Sequence, residues 1–363
     1  MAGQNTVEQQ RRPRWTGASL AIASAALFGA STPFAKLLLG NGASPWLLAG
    51  LLYLGSGIGL GAFYFGRKLL GRRNAEASLV RTELPWLGLI VLFGGVLGPL
   101  LLMTGLANTP ASSAELLLNL ARLATMAIAW IVFRENVDRR LLVGAFAILA
   151  GALLLSWQGG PQGVGIGSLA IAGACVAWGI DNNLTRKLSA ADPVQIALIK
   201  GLIAGAVNFG LALAMGAHLP GTLALVGAGI VGFLGYGVSL VLFVLGLRFL
   251  GTARTGAYFS TAPFIGAVLA ILMFHEPFTV RLVLAGGLMA IGLYLHLTEA
   301  HSHEHFHEPM DHEHAHFHDE HHQHAHIPAD PPGEPHTHWH HHPALRHMHL
   351  HYPDIHHRHG HAG

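Results

Sequence analysis

Ten nearly uncharged apolar stretches, most of them close to 20 residues long, follow one another between residues 16 and 297 and leave the chain few ways to fold. Coiled at ~1.5 Å per residue, such a stretch crosses the ~30 Å hydrocarbon core of a bilayer, where only a helix or a closed barrel satisfies its own backbone polar groups. Charged side chains make up 11% of the residues and stand mostly in short segments between the stretches or beyond residue 300. Soluble domains carry about 25%, so the chain is expected to be an all-α membrane protein with the lipid bilayer as its first partner. No basic patch interleaved with aromatic residues occurs, so nucleic acid is not expected as a partner.

The expected spans are 16–39, 45–65, 84–106, 110–133, 139–157, 165–187, 193–215, 222–247, 251–274 and 279–297. Pro45, Pro110 and Pro193 fall at helix starts, where a missing N–H costs nothing, and Gly40, Gly42, Gly159 and Gly160 mark breaks. Arg11, Arg12 and Arg14 precede a first stretch longer than the about 7 to 15 apolar residues of a cleavable signal, so it is read as a retained helix. Lysine and arginine set the orientation. With a cytoplasmic N-terminus, the inner segments hold Arg11, Arg12, Arg14, Arg67, Lys68, Arg72, Arg73, Arg81, Arg134, Arg139, Arg140, Arg186, Lys187, Arg248 and Arg254, and the outer loops hold Arg281 alone. That imbalance, with an even number of spans, predicts a multi-pass inner (cell) membrane protein with both termini in the cytoplasm. Cys175, the single cysteine, lies in an apolar run and reads as a small buried residue.

The chain repeats itself. At an offset of 141, Gly105-Leu106 aligns with Gly246-Leu247, Phe133-Arg134-Glu135 with Phe274-His275-Glu276, and Gly151 with Gly292, while Phe28-Gly29 matches Trp178-Gly179 at an offset of 150. Each half holds five spans, an odd number, so the halves enter the membrane with opposite topology. Inverted repeats suit secondary transporters, because rocking one half against the other opens a central site to each side in turn.

The run Phe28-Gly29-Ala30-Ser31-Thr32-Pro33-Phe34-Ala35-Lys36, its counterpart at Trp178-Gly179, and the helix-end glutamates Glu135 and Glu276, each followed by a Gly-rich helix, resemble the ten-helix EamA-type branch of the drug/metabolite transporter superfamily over residues 18–297. The resemblance implies an inverted five-plus-five helix fold and export or exchange of small metabolites by alternating access. The organisation expected is a cytoplasmic segment at 1–15, one five-helix repeat at 16–157, a second at 165–297, and a tail at 301–363. An enzyme is not expected, since no paired nucleophile and base faces a defined pocket. The bilayer aside, a small-molecule substrate is the expected partner, no cofactor is required, and a homodimer is allowed.

Ionisable groups inside a bilayer cost ~2.5 to 3.5 kcal/mol each on insertion scales, so those retained face a polar interior. They are Lys36 on the first span, Glu115 and Arg122 on the fourth, Asp181 on the sixth and Lys200 on the seventh, with Asn119, Asn182 and Asn183 as neutral companions. Glu115, Asn119 and Arg122 are spaced by four and then three, which on an unbroken helix puts them on one face. Counting the helical rise puts Lys36 and Glu115 in the outer third, Arg122 near the midplane, and Asp181 and Lys200 in the inner third. Two pairs are expected, Lys36 with Glu115 outside and Asp181 with Lys200 inside. They would flank a central cavity, with Arg122 offered to an anionic or zwitterionic substrate and Glu115 or Asp181 exchanging a proton.

Each of these groups also has a structural reading, as a salt bridge fixing helix register or a lysine snorkelling to the interface. Tyr258 is a cavity-wall candidate with interfacial anchoring as its alternative. Glu135 and Glu276 are expected to serve exposed N–H groups at helix ends. Gly55, Gly57, Gly59 and Gly61 supply small-xxx-small spacings, and Gly94, Gly95, Gly98 and Pro99 combine close approach with a kink. No Lys-Ser or Lys-Thr follows these glycines, which excludes a phosphate loop.

Residues 301–363 hold 24 of the 27 histidines, nine Asp or Glu and two Arg, a composition that cannot bury a core and is expected to be disordered without ligand. Three clusters stand out: His301, His303, His305 and His307; His312, His314, His316 and His318; and His336, His338 and His340. Neutral imidazole suits zinc, nickel, cobalt and copper, and His-x-His spacing lets several rings converge on one ion. The tail is therefore expected to bind divalent metals, as a cytoplasmic buffer or sensor that biases the transporter or as a solvated segment without consequence. Two rival functions stay open: a divalent transition-metal exporter whose tail gathers the cargo, and a membrane-anchored metal buffer or sensor with no transport.

Overall fold

A computed structural model of the chain describes residues 4–70, 83–133, 139–157, 164–185, 192–250 and 252–298, and in the tail 301–307, 310–316, 336–342 and 345–351. Ten helices run through the first of these. They are α1 (Gln4–Gly40), α2 (Pro45–Leu69), α3 (Leu84–Ala107), α4 (Ala111–Val132), α5 (Arg139–Ser156), α6 (Ile166–Thr185), α7 (Pro193–Ala214), α8 (Thr222–Gly246), α9 (Thr255–Phe274) and α10 (Val280–Leu297). Among the described residues nine have the length and apolarity to cross a bilayer. The exception is α6, 20 residues long, where Asp181-Asn182-Asn183 interrupts an otherwise apolar stretch. The protein is thus an all-helical, multi-pass membrane protein.

Local chemistry fixes the helix ends. Asp192 accepts from the Val194 N–H at 2.9 Å and Thr279 from the Leu282 N–H at 3.1 Å, each satisfying a donor that the first turn leaves free. Gly42 takes φ +89° in the turn between α1 and α2, a conformation a side chain would strain.

Packing follows the repeat. α2 lies most intimately against α7 and α5 against α10, while α1 packs on α8 and α9 as α6 packs on α3 and α4. Lipid tails are as apolar as leucine, so helices associate by close approach, which small residues permit. A Cβ added at Gly57 would meet the backbone of Gly201 and Leu202 at 2.8 and 2.6 Å, and one at Gly55 the Gly229 carbonyl at 2.4 Å. The α2 glycines therefore serve two neighbours, α7 and α8. Gly144 and Gly292 bring α5 and α10 together in the same way. Outward faces are apolar, with Ile131 72%, Phe146 69% and Leu223 88% exposed.

The expected kink in α3 takes another form. Val91–Leu97 is a turn of π-helix, and Phe233–Val238 of α8 is another at the corresponding place in the second half. α4 and α9 are interrupted as a second matched pair. Around Leu118 and Asn119 the N–H groups bond three residues back, Leu118 to Glu115 at 3.0 Å and Arg122 to Asn119 at 3.2 Å. Thr261 and Phe264 do the same in α9, at 3.1 and 3.0 Å.

The described parts of the tail are extended. β1 (His301–His307) pairs antiparallel with β4 (Leu345–His351), and β2 (Met310–His316) with β3 (His336–His342). The cause is the alternation itself, because His-x-His has the period of a strand. The register sets histidine opposite histidine, as at His303 with His349 and His312 with His340.

Candidate functional site

The π turn of α3 supplies the floor of the site. Gly94 and Gly95 present carbonyls that side chains of three other helices reach: Tyr53 Oη donates to the Gly94 oxygen at 2.8 Å, Trp178 Nε1 to the same oxygen at 3.1 Å, and Asn208 Nδ2 to the Gly95 oxygen at 3.1 Å. A π turn loosens the ordinary ladder and is often found where function needs a backbone group. Against this floor lies the ion pair, with Lys200 Nζ 2.6 Å from Asp181 Oδ2 and side chains 18% and 8% exposed. Gly94 makes the niche, since a methyl there would fall 2.2 Å from the Asp181 carboxyl carbon and 2.5 Å from the Lys200 ammonium.

Aromatic rings border the pair. Tyr53 stands 5.5 Å from Tyr236, Tyr236 6.0 Å from Phe28, Phe28 5.3 Å from Phe259 and Phe259 4.9 Å from Phe243, all centroid to centroid. The belt runs from α2 through α8 and α1 to α9, so both halves contribute to it. A paired cation and anion beside ring faces can hold a small polar or charged solute that carries an apolar part.

The expected proximity of Asp181 and Lys200 is found; that of Lys36 and Glu115 is not. Lys36 Nζ donates instead to the carbonyls of Leu106 and Thr109, the latter at 3.0 Å, because the last turn of α3 leaves its carbonyls without N–H partners. Glu115 turns the other way, into the crossing of α1 and α9, and is completely buried. Nor do Glu115, Asn119 and Arg122 share one unbroken face, since α4 is interrupted between the first and the last. Asn119 Nδ2 returns to the Leu116 carbonyl at 2.8 Å, and Arg122 Nη2 reaches the Gly256 carbonyl of α9 at 3.0 Å.

Asn182 and Asn183 bind α6 to α4, donating to the hydroxyl and carbonyl of Thr125 at 3.1 and 3.0 Å. Tyr258 is half-buried, and the ring in the aromatic belt is that of its neighbour Phe259. Glu276 serves a helix end as expected, but in the opposite half: its carboxylate accepts from the N–H groups of Ala111 at 2.7 Å and Ser112 at 3.0 Å, and from the Ser112 hydroxyl. Glu135 and His318 lie outside the described residues, as do Arg72, Arg73, Arg81, Arg134, Arg186 and Lys187.

The sequence reading gave no site role to Tyr53, Trp178, Asn208 and Tyr236. Their signal was present, since tyrosine and tryptophan belong at the membrane interface and these stand well inside their spans. Among the described residues, no three His, Cys, Asp or Glu side chains gather where they could hold a metal ion.

The model of the EamA-like transporter family matches the chain twice, at residues 15–157 and 165–298. An uncharacterized transporter of Methanothermobacter thermautotrophicus is 26% identical over 291 residues, which cover 76% of this chain and 84% of that protein. A solved crystal structure with 19% identity superposes at a TM-score of 0.57 over 77% of this chain and 95% of the other, which speaks to the fold alone.

Proposed function

This chain belongs to the EamA-like transporter family and is a secondary membrane transporter, and from that premise we propose that it exports or exchanges small metabolites by alternating access around the Asp181–Lys200 niche. One observation carries the reading: the matched interruptions of α3 and α8 and of α4 and α9 surround a polar and aromatic centre drawn from both halves. Interrupted helices free backbone groups and supply hinges, which rocking halves require.

The reading extends to placement. Both termini face the cytoplasm of an inner-membrane protein, supported by the distribution of lysine and arginine. The tail binds zinc, nickel, cobalt or copper and biases the transporter from there, supported by its composition and by the histidine-on-histidine register. Proteoliposomes holding the full chain, loaded in turn with candidate amino acids, other small metabolites and metal ions, test the whole. Efflux of a metabolite that falls at least tenfold in Asp181→Asn supports the reading. Efflux of metal ions alone, or none of any solute, refutes it. A chain ending near Ala300 with unchanged transport and unchanged metal tolerance in cells would remove the tail from the mechanism.

A further inference from the structure

Two helix crossings in this fold are counterparts with different contents. Where α6 crosses α4, Gly179 lies against Ala124 and the Thr125 amide; where α1 crosses α9, Gly29 lies against the Ala262 carbonyl and the Gly266 amide. The offsets of 150 and 141 relate Gly179 to Gly29 and Thr125 to Gly266. Asn182 and Asn183 fasten the first crossing through Thr125, at 3.1 and 3.0 Å. In the second, glycine stands in place of the threonine, and the room it leaves holds the Glu115 carboxyl: a Cβ at Gly266 would fall 2.4 Å from Glu115 Oε1. Glu115 is completely buried, and neither carboxylate oxygen has a hydrogen-bond partner among the described residues.

The charged and titratable groups on the surrounding elements are engaged elsewhere. Lys36 on α1 serves the end of α3, and Arg122 on α4 donates to Gly256. Asp181 on α6 is paired with Lys200, while the Cys175 thiol of α6 points at the Leu117 carbonyl at 3.6 Å. Glu276 and Arg281, at the outer ends of α9 and α10, hold backbone groups of α4 and α5, and His296 meets the Leu141 carbonyl at the inner end of α10. Tyr236 on α8 and the buried Thr32 hydroxyl, counterpart of Asn182, stand nearest in kind but bring no positive charge.

A bare carboxylate taken out of water without a partner is strongly disfavoured even after relaxation, so a buried one is neutralised or paired. We infer that Glu115 is the binding site of one monovalent cation, a proton or a sodium ion, filled while α1 lies against α9 and emptied when the two helices part. The chemistry balances simply. A proton from water on the open side forms an O–H bond at a carboxylate oxygen, and that bond breaks to water when the crossing opens to the other side. A sodium ion would use the same oxygens with the Thr32 hydroxyl. Crossing and uncrossing is the movement that alternating access requires, so the coupling part of this inference rests on the transporter reading, whereas the site itself does not.

Infrared difference spectroscopy of the full chain in nanodiscs tests the site without any substrate. A carboxylic-acid carbonyl band is expected in potassium salt, titrating with pH, and its loss is expected in Glu115→Gln. If sodium is the ion, exchanging potassium for sodium at constant pH removes the band; if the proton is, the band is indifferent to the exchange. Identical spectra for wild type and Glu115→Gln under all these conditions would overturn the inference. Should Glu115→Gln fail to fold, Glu115→Asp decides, because a band from position 115 must shift when the carboxyl is drawn back by one methylene, and an unshifted band overturns the assignment. An intact band in a protein that moves no solute would count against the proposed function and leave the cation site standing.

Discussion

Removing both members of the Asp181–Lys200 pair should destabilise the protein less than the two single removals added together. The two atoms stand 2.6 Å apart, and the Thr185 hydroxyl also donates to the carboxylate, at 3.4 Å. Asp181→Asn leaves the Lys200 ammonium, and Lys200→Met leaves the carboxylate, each against the Gly94 floor in a site only 18% and 8% exposed. Breaking a buried pair costs about 3 to 5 kcal/mol. The partial exposure of Lys200 argues for the lower figure, so each single variant should lose about 3 kcal/mol, on the order of a hundredfold in the unfolding equilibrium. The double variant leaves no uncompensated charge and should lose about 2 kcal/mol less than the sum of the singles. Equilibrium unfolding in detergent mixtures, run as a double-mutant cycle, measures all four proteins. Singles within about 0.5 kcal/mol of wild type, or strictly additive losses, would show that the pair is a solvated contact and that the niche at Gly94 is not dry.

Three further outcomes follow from individual contacts. Glu276→Ala should cost about 1 to 2 kcal/mol and loosen the start of α4, read as faster amide exchange at Ala111 and Ser112, because the carboxylate caps those N–H groups from the other half. Gly232→Ala should lower the melting temperature and Gly210→Ala raise it: the first would put a methyl 2.0 Å from the Leu52 carbonyl oxygen, overpacking worth about 1 to 3 kcal/mol, while the second meets nothing within 4 Å and gains about 0.5 to 1 kcal/mol of helix propensity. Metal binding by the tail should weaken as pH falls through ~6.5, since imidazole protonated below its ordinary pKa cannot ligate, and calorimetric zinc titrations at two pH values would check it.

The interruptions bear on how such a protein moves. Rigid helices packed through glycines resist bending, so movement concentrates where the regular ladder is already broken. Here the breaks lie beside Glu115, Arg122, Tyr236 and Gly94, so a change in the contacts of any of them acts on a break. Glu276 holding Ala111 and Lys36 holding Thr109 tie together, at one side of the bundle, the ends of α1 and α3, the start of α4 and the α9–α10 turn. Opening that side requires that these bonds give way.

Internal matches at fixed offsets revealed the five-plus-five repeat, and run length and charge placement by themselves determined the number of helices, because a bilayer filters a chain by continuous apolarity, which is a local property. They also singled out Asp181 and Lys200, since ionisable groups rarely persist in lipid without a purpose. Which partner each group takes was decided only by the tertiary structure. Lys36 and Glu115 stand at similar depth along their helices, yet the lysine turns to the carbonyls ending α3 and the carboxyl into a space that Gly266 leaves open. Depth is read from counting residues, whereas rotation about a helix axis depends on packing against neighbours hundreds of residues away. The same holds for the π turns and the α4 break, which moved Asn119 and Arg122 off the face their spacing promised. Tyr53, Trp178 and Tyr236 became a site only when α2, α6 and α8 met around one glycine carbonyl and one ion pair.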